Sequence, residues 1–291
     1  AGNIGEVENK GFEASFNYNK QINPNLYVSL QGNLTMNEDK VIEDGKTVYK
    51  QSWRNSVGQN VLARFGYIAE GLYTSEQEII ERGITQFGET YPGQLTKPGD
   101  IKYKDLSGDK HIDEQDMTKI GRGDVPKTYY GFGGDIRYKN WGLGILFQGM
   151  AGADRALNGS GIYPFVSSSG GGTLYANIND RWSSGNPANQ NVFYPRLAWS
   201  SADASNSNNF QTSTWWQKDM SFLRLKQFTI SYYFPKSWAK NSFINGGRFY
   251  AMGSNVFTWS KFKLWDPELN TNNGISYPNT SAYTIGVNFD F

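Results

Sequence analysis

The stretch Thr128-Tyr-Tyr-Gly-Phe132-Gly-Gly-Asp-Ile136-Arg-Tyr138-Lys139-Asn140-Trp141-Gly-Leu143-Gly-Ile145-Leu-Phe147-Gln-Gly-Met-Ala151 decides the fold. Before Lys139-Asn140 the large apolar residues Phe132, Ile136 and Tyr138 are even-numbered, and after it Trp141, Leu143, Ile145 and Phe147 are odd-numbered. Side chains alternate faces along a strand, and a two-residue turn sets its flanking residues opposite each other. Tyr138 then pairs with Trp141, so an even set must become an odd set if one face is to stay apolar. It does, and the stretch predicts an antiparallel hairpin. Gly131, Gly133 and Gly134 lie inside a strand rather than between a strand and a helix, so they are not a phosphate cradle.

The same alternation recurs outward from this hairpin. Phe12, Ala14, Phe16 and Tyr18 alternate with Glu13, Ser15 and Asn17; beyond a turn at Asn23-Pro24-Asn25, Leu26, Val28, Leu30 and Leu34 alternate with Ser29, Gln31 and Asn33. Towards the other end come Phe228 to Phe234, with Gln227, Thr229 and Ser231 on the opposite face, then 247–258. In the last ten residues Tyr283, Ile285, Val287, Phe289 and Phe291 alternate with Thr284, Gly286, Asn288 and Asp290. With weaker segments near 45–53 and 60–70, the pattern predicts about nine strands, each near the roughly 9–11 residues that cross a bilayer as a tilted strand. The connections run 20–24, 38–44, 54–59, 71–127, 139–140, 152–220, 235–246 and 259–281. Short turns on one side and long loops on the other characterise outer-membrane barrels. The expected lipid face carries Phe12, Leu26, Leu30, Leu143, Ile145, Phe147, Ile230, Ile285 and Val287, and the lumen face Glu13, Gln31, Gln148 and Asn288. Closed bacterial barrels have even strand counts. The expectation is therefore an all-β, antiparallel transmembrane portion of a larger barrel, starting at Ala1 inside a strand and without a signal peptide.

Composition agrees with this class. Aromatic residues make up 15% of the 291 positions and glycine 33 of them, against 19% charged, a bias towards strands and turns. The 28 basic and 27 acidic residues give no electrostatic footprint for nucleic acid. No cysteine is present, which excludes disulfides, thiolate metal sites and a cysteine nucleophile. The mean hydropathy of -0.60 is that of a soluble chain, but only every second residue of a barrel strand faces lipid, so barrels read as polar in any window.

Asp105-Leu-Ser107-Gly-Asp109-Lys-His111-Ile-Asp113-Glu-Gln-Asp116 places oxygen donors at positions 1, 3, 5, 9 and 12, with the His111 carbonyl at 7. That is the spacing of an EF-hand-like Ca²⁺ loop, because a hard cation needs six to eight oxygens gathered by one tight turn. Lys110 occupies the position usually held by glycine, and Asp116 is a shorter final ligand than the usual Glu, so the expected site is weak. His111 is the only histidine, which leaves no convergent acid, base and nucleophile set and argues against an enzyme. Ser75-Glu-Gln-Glu78 is a capping box for a short helix ending near Gly83. Trp182, Trp199, Trp215 and Trp216 in or beside loop 152–220, and Trp265 in loop 259–281, offer faces for sugar rings or a protein partner, or else form loop cores or an interfacial belt. Thr284-x-Gly286-x-x-Phe289-x-Phe291 resembles the β-signal read by the barrel-assembly machinery.

Across nearly its whole length the chain resembles the C-terminal region of the SusC/RagA family, the TonB-dependent transporters of Bacteroidetes. The resemblance is carried by Asn9-Lys-Gly-Phe-Glu13, Pro98-Gly-Asp-Ile-Lys-Tyr-Lys-Asp105, Tyr130-Gly-Phe132, Arg181-Trp182, Tyr194-Pro-Arg-Leu197, Phe222-Leu-Arg-Leu225, Tyr250-Ala-Met-Gly-Ser-Asn255, Trp265-Asp-Pro-Glu268 and the terminal strand. It implies an outer-membrane barrel of about 22 strands with an N-terminal plug and a TonB-contacting segment upstream of Ala1. It also implies long extracellular loops at 71–127 and 152–220, a SusD-like surface lipoprotein as lid, and uptake of oligosaccharides or peptides. The alternative is a structural or scaffold barrel in an envelope assembly, since fold alone does not fix function.

Overall fold

The computed structural model describes residues 4–165, 176–199, 204–239 and 245–291. Its frame is one antiparallel sheet of seven strands: β1 (Glu6–Asn23), β2 (Leu26–Glu43), β3 (Thr128–Tyr138), β4 (Trp141–Ala151), β5 (Phe222–Tyr233), β6 (Gly246–Ser260) and β7 (Ala282–Asp290), paired in that order. Tyr138 faces Trp141 across the turn, Leu143 faces Ile136 on one side and Ile230 on the other, and Val28 faces Ile136. One row thus runs Val28, Ile136, Leu143, Ile230, Ala251, Ile285 across six strands. On the opposite face the register aligns Asn33, Gly131, Gln148, Arg224 and Thr258. The lipid-face candidates Phe12, Leu30, Leu143, Ile145, Ile230, Ile285 and Val287 are all exposed, and Leu26 and Phe147 are partly covered. A sheet that turns its large apolar side chains outward on one face and its amides and hydroxyls on the other fits lipid outside and water inside.

A β-bulge explains how the pattern survives in β5. Leu225 pairs with Phe147, but the next pair is Gln227 with Leu146, so Lys226 is the extra residue. The extra residue flips the parity. The apolar face therefore uses odd positions before it, Leu223 and Leu225, and even positions after it, Phe228 and Ile230.

Among the described residues, seven long strands in one sheet replace the nine expected. Residues 45–53 contain no strand and end in the 3-10 turn Ser52–Arg54, with Val48 and Tyr49 exposed and Gly45 at φ 66°. Residues 60–70 break into the short strands Arg64–Gly66 and Ala69–Leu72, which pair with Thr118–Gly121 and Ile101–Tyr103. Neither run approaches the length a bilayer crossing needs, and Tyr67 and Leu72 are buried against other loop residues rather than presented to lipid. The moderate and short connections around those segments merge into one long loop, 44–127. The alternation becomes cleaner: turns at 24–25, 139–140 and 234–245 on one side, loops at 44–127, 152–221 and 261–281 on the other. β1 and β2 are 18 residues each, roughly 60 Å of strand, longer than a bilayer crossing. Their loop-side ends carry the pairs Glu8 with Lys40 and Lys10 with Glu38, charges suited to water.

The loops fold together as a layer with its own cores. One cluster joins Met150, Leu157, Ile162, Tyr163, Tyr194, Trp216, Met220, Phe222 and Phe262, drawing on two loops and the sheet rim. A second joins Tyr67, Leu72, Ile101, Tyr103, Ile112 and Trp182. Helix α1 (Glu76–Arg82) stands beside the second, capped by the Ser75 hydroxyl, which accepts from the Glu78 N–H at 3.1 Å, and stopped by Gly83 at φ 64°. Glu78 accepts from the Thr74 N–H and hydroxyl rather than reaching back to Ser75.

Candidate functional site

The loop layer over one end of the sheet is the candidate site, and ion pairs, each with one buried partner, position its three loops. Asp100, from the Pro98-Gly-Asp motif, is fully buried in loop 44–127. It accepts from Arg196 Nε at 3.1 Å and from Asn209 Nδ2 at 2.9 Å, both in loop 152–221. Asn209 also accepts from the Ile101 N–H at 2.9 Å, and Asn208 donates to the Ile101 carbonyl at 2.9 Å. Gln86 bridges the same edge, donating to the Ile101 carbonyl and to Asn208 and accepting from the Tyr103 N–H. A backbone edge buried without water must find such partners, and here they come from the neighbouring loop. Two loops are thereby tied at one register.

The third loop is tied from the sheet. Arg224 stands on the polar face of β5 and is fully buried. Its guanidinium donates to both Asp266 oxygens at 2.6 and 2.7 Å, to Glu268, and through Nε to Thr258 at 3.0 Å, and lies 4.7 Å from the Phe222 ring centre. With Nη2 on both Asp266 oxygens, Nη1 on Glu268 and Nε on Thr258, the planar guanidinium is fixed in orientation by charge-assisted bonds. Phe222-Leu-Arg-Leu225 and Trp265-Asp-Pro-Glu268, separate motifs in the sequence, are two halves of one contact.

The acidic segment forms a tight turn. Lys110 takes the left-handed conformation, φ 65°, at the position where glycine usually makes the bend. Asp105 accepts from the Gly108 and Lys110 N–H groups at 2.6 and 2.9 Å and from the Ser107 hydroxyl at 3.1 Å. Asp116, fully buried, accepts from the N–H groups of Leu106, Ser107 and Asp113. Asp109 accepts from the His111 N–H, and Asp113 from that of Gln115. Partial burial raises the Asp105 pKa, but the N–H donors of Gly108 and Lys110 and the Ser107 hydroxyl outweigh it, and the net shift is downward. Among the described residues no three His, Cys, Asp or Glu groups converge as a cation cluster; the carboxylates are spent on the turn's own backbone. Tyr67, nearby, is pushed up to about 12 by burial and by Glu114, Asp113 and Asp116.

The tryptophans divide. Trp216 is 1% exposed and Trp182 8%, both inside loop cores; Trp215 is partly buried and donates to the Phe193 carbonyl at 3.0 Å. Trp265 packs edge-on against Phe262 at 4.9 Å. Trp199, 70% exposed beside Phe165, is the one of the five presented to solvent. In the terminal strand, Thr284 pairs with Met252, Gly286 with Tyr250 and Phe289 with Gly247. Phe289 packs on Phe234 at 5.7 Å, at the short-turn end, and Phe291 is exposed. Gly286 admits the Tyr250 ring, which would lie 2.5 Å from an added Cβ.

No family model matches the chain. Curated relatives match it over 99% of its length: TonB-dependent receptor P3 of Formosa agariphila at 29% identity, of which it covers 29%, and TonB-dependent receptor SusC of Bacteroides thetaiotaomicron at 26%, of which it covers 27%. The chain therefore spans less than a third of these relatives' length. Among solved structures, the RagAB peptide transporter superposes on 99% of the chain with a TM-score of 0.69 at 21% identity, and the RagAB peptide importer in its open-open state with 0.67 at 22%; the chain covers 30% and 29% of those chains. Over 99% of its length the chain is thus similar to TonB-dependent receptors, SusC among them, and its antiparallel sheet is that of a portion of an outer-membrane β-barrel.

Proposed function

We propose, from this homology to the TonB-dependent receptors and SusC, that the chain is part of an importer that carries oligosaccharides or peptides across the outer membrane. The observation that carries this reading is sequence similarity to transport receptors over 99% of the chain. A loop layer locked over one end of a polar-faced sheet supports it. In this reading the long loops, including 71–127 and 152–220, are extracellular, a SusD-like lipoprotein sits on them, and TonB acts through a segment upstream of Ala1. Exposed Trp199, and Trp265 in the loop held by Arg224, are the proposed contacts. The test is uptake of labelled oligosaccharide and peptide pools by cells carrying or lacking the intact gene, with cross-linkers at Trp199 and Trp265. TonB-dependent uptake and capture of one abundant lipoprotein support import; loss of envelope integrity without any uptake difference supports the scaffold alternative.

The segment Asp105–Asp116 is proposed to close on Ca²⁺ weakly. Lys110 already holds the left-handed bend that such a loop needs, while Asp109 and Asp113 must leave their backbone partners to reach an ion. Thr284, Gly286, Phe289 and Phe291 are proposed as the signal for barrel assembly, because the first three lie on the edge strand β7 and Phe291 directly follows it.

A further inference from the structure

Loop 44–127 contains a cavity outside the Asp100 and Arg224 contacts, of about 190 Å³, lined by Lys46, Tyr49, Arg54, Ser56, Phe65 and Met117. Its walls are built rather than incidental. Tyr49 is held by Asn55, whose Oδ1 accepts from the Tyr49 N–H at 2.9 Å and whose Nδ2 donates to the Tyr49 carbonyl at 3.4 Å. Trp53, beside Arg54, donates through Nε1 to the Gln115 carbonyl at 2.9 Å, and the Trp53 carbonyl accepts from Thr118. The Arg54 side chain is 17% exposed, and its guanidinium lies 4.1 Å from the Tyr49 ring centre.

The Arg54 guanidinium has donors that no hydrogen bond among the described residues uses. The carboxylate nearest it, Glu114, lies at 3.9 Å and is itself 85% exposed, too far for a hydrogen bond. Arg196 and Arg224, by contrast, are held by carboxylates at hydrogen-bonding distance, the buried Asp100 and the partly buried Asp266. The second cation, Lys46, stands 3.6 Å from Asp44, whose carboxylate is already occupied by the Ser56 hydroxyl and the Lys46 N–H. Phe65 and Met117 give the same space an apolar wall. A stacked guanidinium with free, forked donors matches a carboxylate bidentately, and a thioether and an aromatic ring favour an apolar body beside it.

We propose that this cavity binds a carboxylate carried on a compact body with an apolar face, with Arg54 and Lys46 taking the carboxylate and Tyr49, Phe65 and Met117 taking the body. Two kinds of cargo present that group: the C-terminal residue of a peptide and an acidic sugar. As a cargo subsite the cavity rests on the import reading; as a binding site it stands without it.

The experiment is calorimetric titration of the intact detergent-purified outer-membrane protein with N-acetylphenylalanine, N-acetylphenylalaninamide and glucuronate. At least one acid should bind, and the acylated amino acid, if it is that one, about tenfold or more tighter than its amide, as expected for losing a charge-assisted pair. Arg54→Gln should abolish acid binding. Lys46→Gln, at an exposed position, should weaken it by less. Binding of N-acetylphenylalanine assigns the site to peptide termini, and binding of glucuronate alone to acidic sugars. No binding of either acid to the wild-type protein, or equal binding of acid and amide, overturns the proposal without any variant. So does unchanged acid binding by an Arg54→Gln protein that melts like wild type. Uptake is measured separately in cells: import without acid recognition sinks the cavity alone, and acid recognition without import sinks the transport reading alone.

Discussion

The sheet and the loop layer are built from one composition and sort it in opposite directions. In the sheet the large apolar side chains of one face, such as Phe12, Leu143, Ile230 and Ile285, are exposed, and the facing polar rows line the other side. In the loop layer Leu72, Ile101, Leu157 and Trp216 are almost fully buried, as in a soluble domain. Charges follow the same division. Asp100 and Asp116 are buried in the loops, where N–H donors or guanidinium groups meet them, and Arg224 is buried where the sheet meets a loop. Hydrophobicity by itself places nothing; what lies outside each region does. Lipid outside the sheet lets apolar groups stay exposed, whereas water over the loops drives them into a core.

The largest expected effect lies in the loop core. Trp216→Ala should cost the loop layer about 3–5 kcal/mol by cavity formation, whereas Trp199→Ala should stay within about 0.5 kcal/mol; thermal melts followed by limited proteolysis of 152–221 would show equal losses if the layer has no true core. Arg224→Met comes next. It leaves the partly solvated Asp266 and Glu268 without their cation, and losing hydrogen bonds to charged groups costs about 1.5–3 kcal/mol, read as earlier proteolysis within 261–281 while the sheet persists; unchanged cleavage would separate loop from sheet. Replacing Phe289 and Phe291 together by Ala touches only the sheet and should lower folded protein in the outer membrane several-fold; unchanged heat-modifiable mobility and abundance would count against the assembly signal. The smallest effect is at the acidic turn. Calorimetry should give a Ca²⁺ affinity in the range of roughly 10⁻⁴–10⁻³ M, lost in Asp105→Ala with Asp109→Ala. Because the folded Asp105 pKa is depressed, its contribution is present above the unfolded value of about 3.9 and is lost as pH falls through the lower folded value. Proteolysis of 100–120 should accelerate across that interval; a turn indifferent to acid and chelator would be only solvated chain.

The sheet was legible because a period of two survives in the text. The parity switch at Lys139-Asn140 forecast the Tyr138–Trp141 pair directly. The same rule misled at 60–70, where Phe65, Tyr67 and Leu72 are apolar because they belong to loop strands or the loop core, and a short apolar run does not say which solvent it faces. The latches were the least legible. Asp100 and Arg196 are 96 residues apart and Arg224 and Asp266 are 42 apart, so no local spacing links them, although each sits in a segment that carried the family resemblance. The acidic turn was legible as a bend and as a set of oxygens. What spacing could not show was that those oxygens are engaged by neighbouring N–H groups.

The central claim, that one sheet face meets lipid and the other water, is tested most directly by single spin labels at Leu30, Leu143, Ile230 and Ile285 against Gln31, Gln148, Thr229 and Asn288 in the intact protein reconstituted in bilayers. The first set should be quenched by molecular oxygen and shielded from a water-soluble nickel chelate, and the second set the reverse, with the phase changing by one residue across Lys226. Equal accessibility of the two sets to both quenchers would contradict a membrane-spanning sheet.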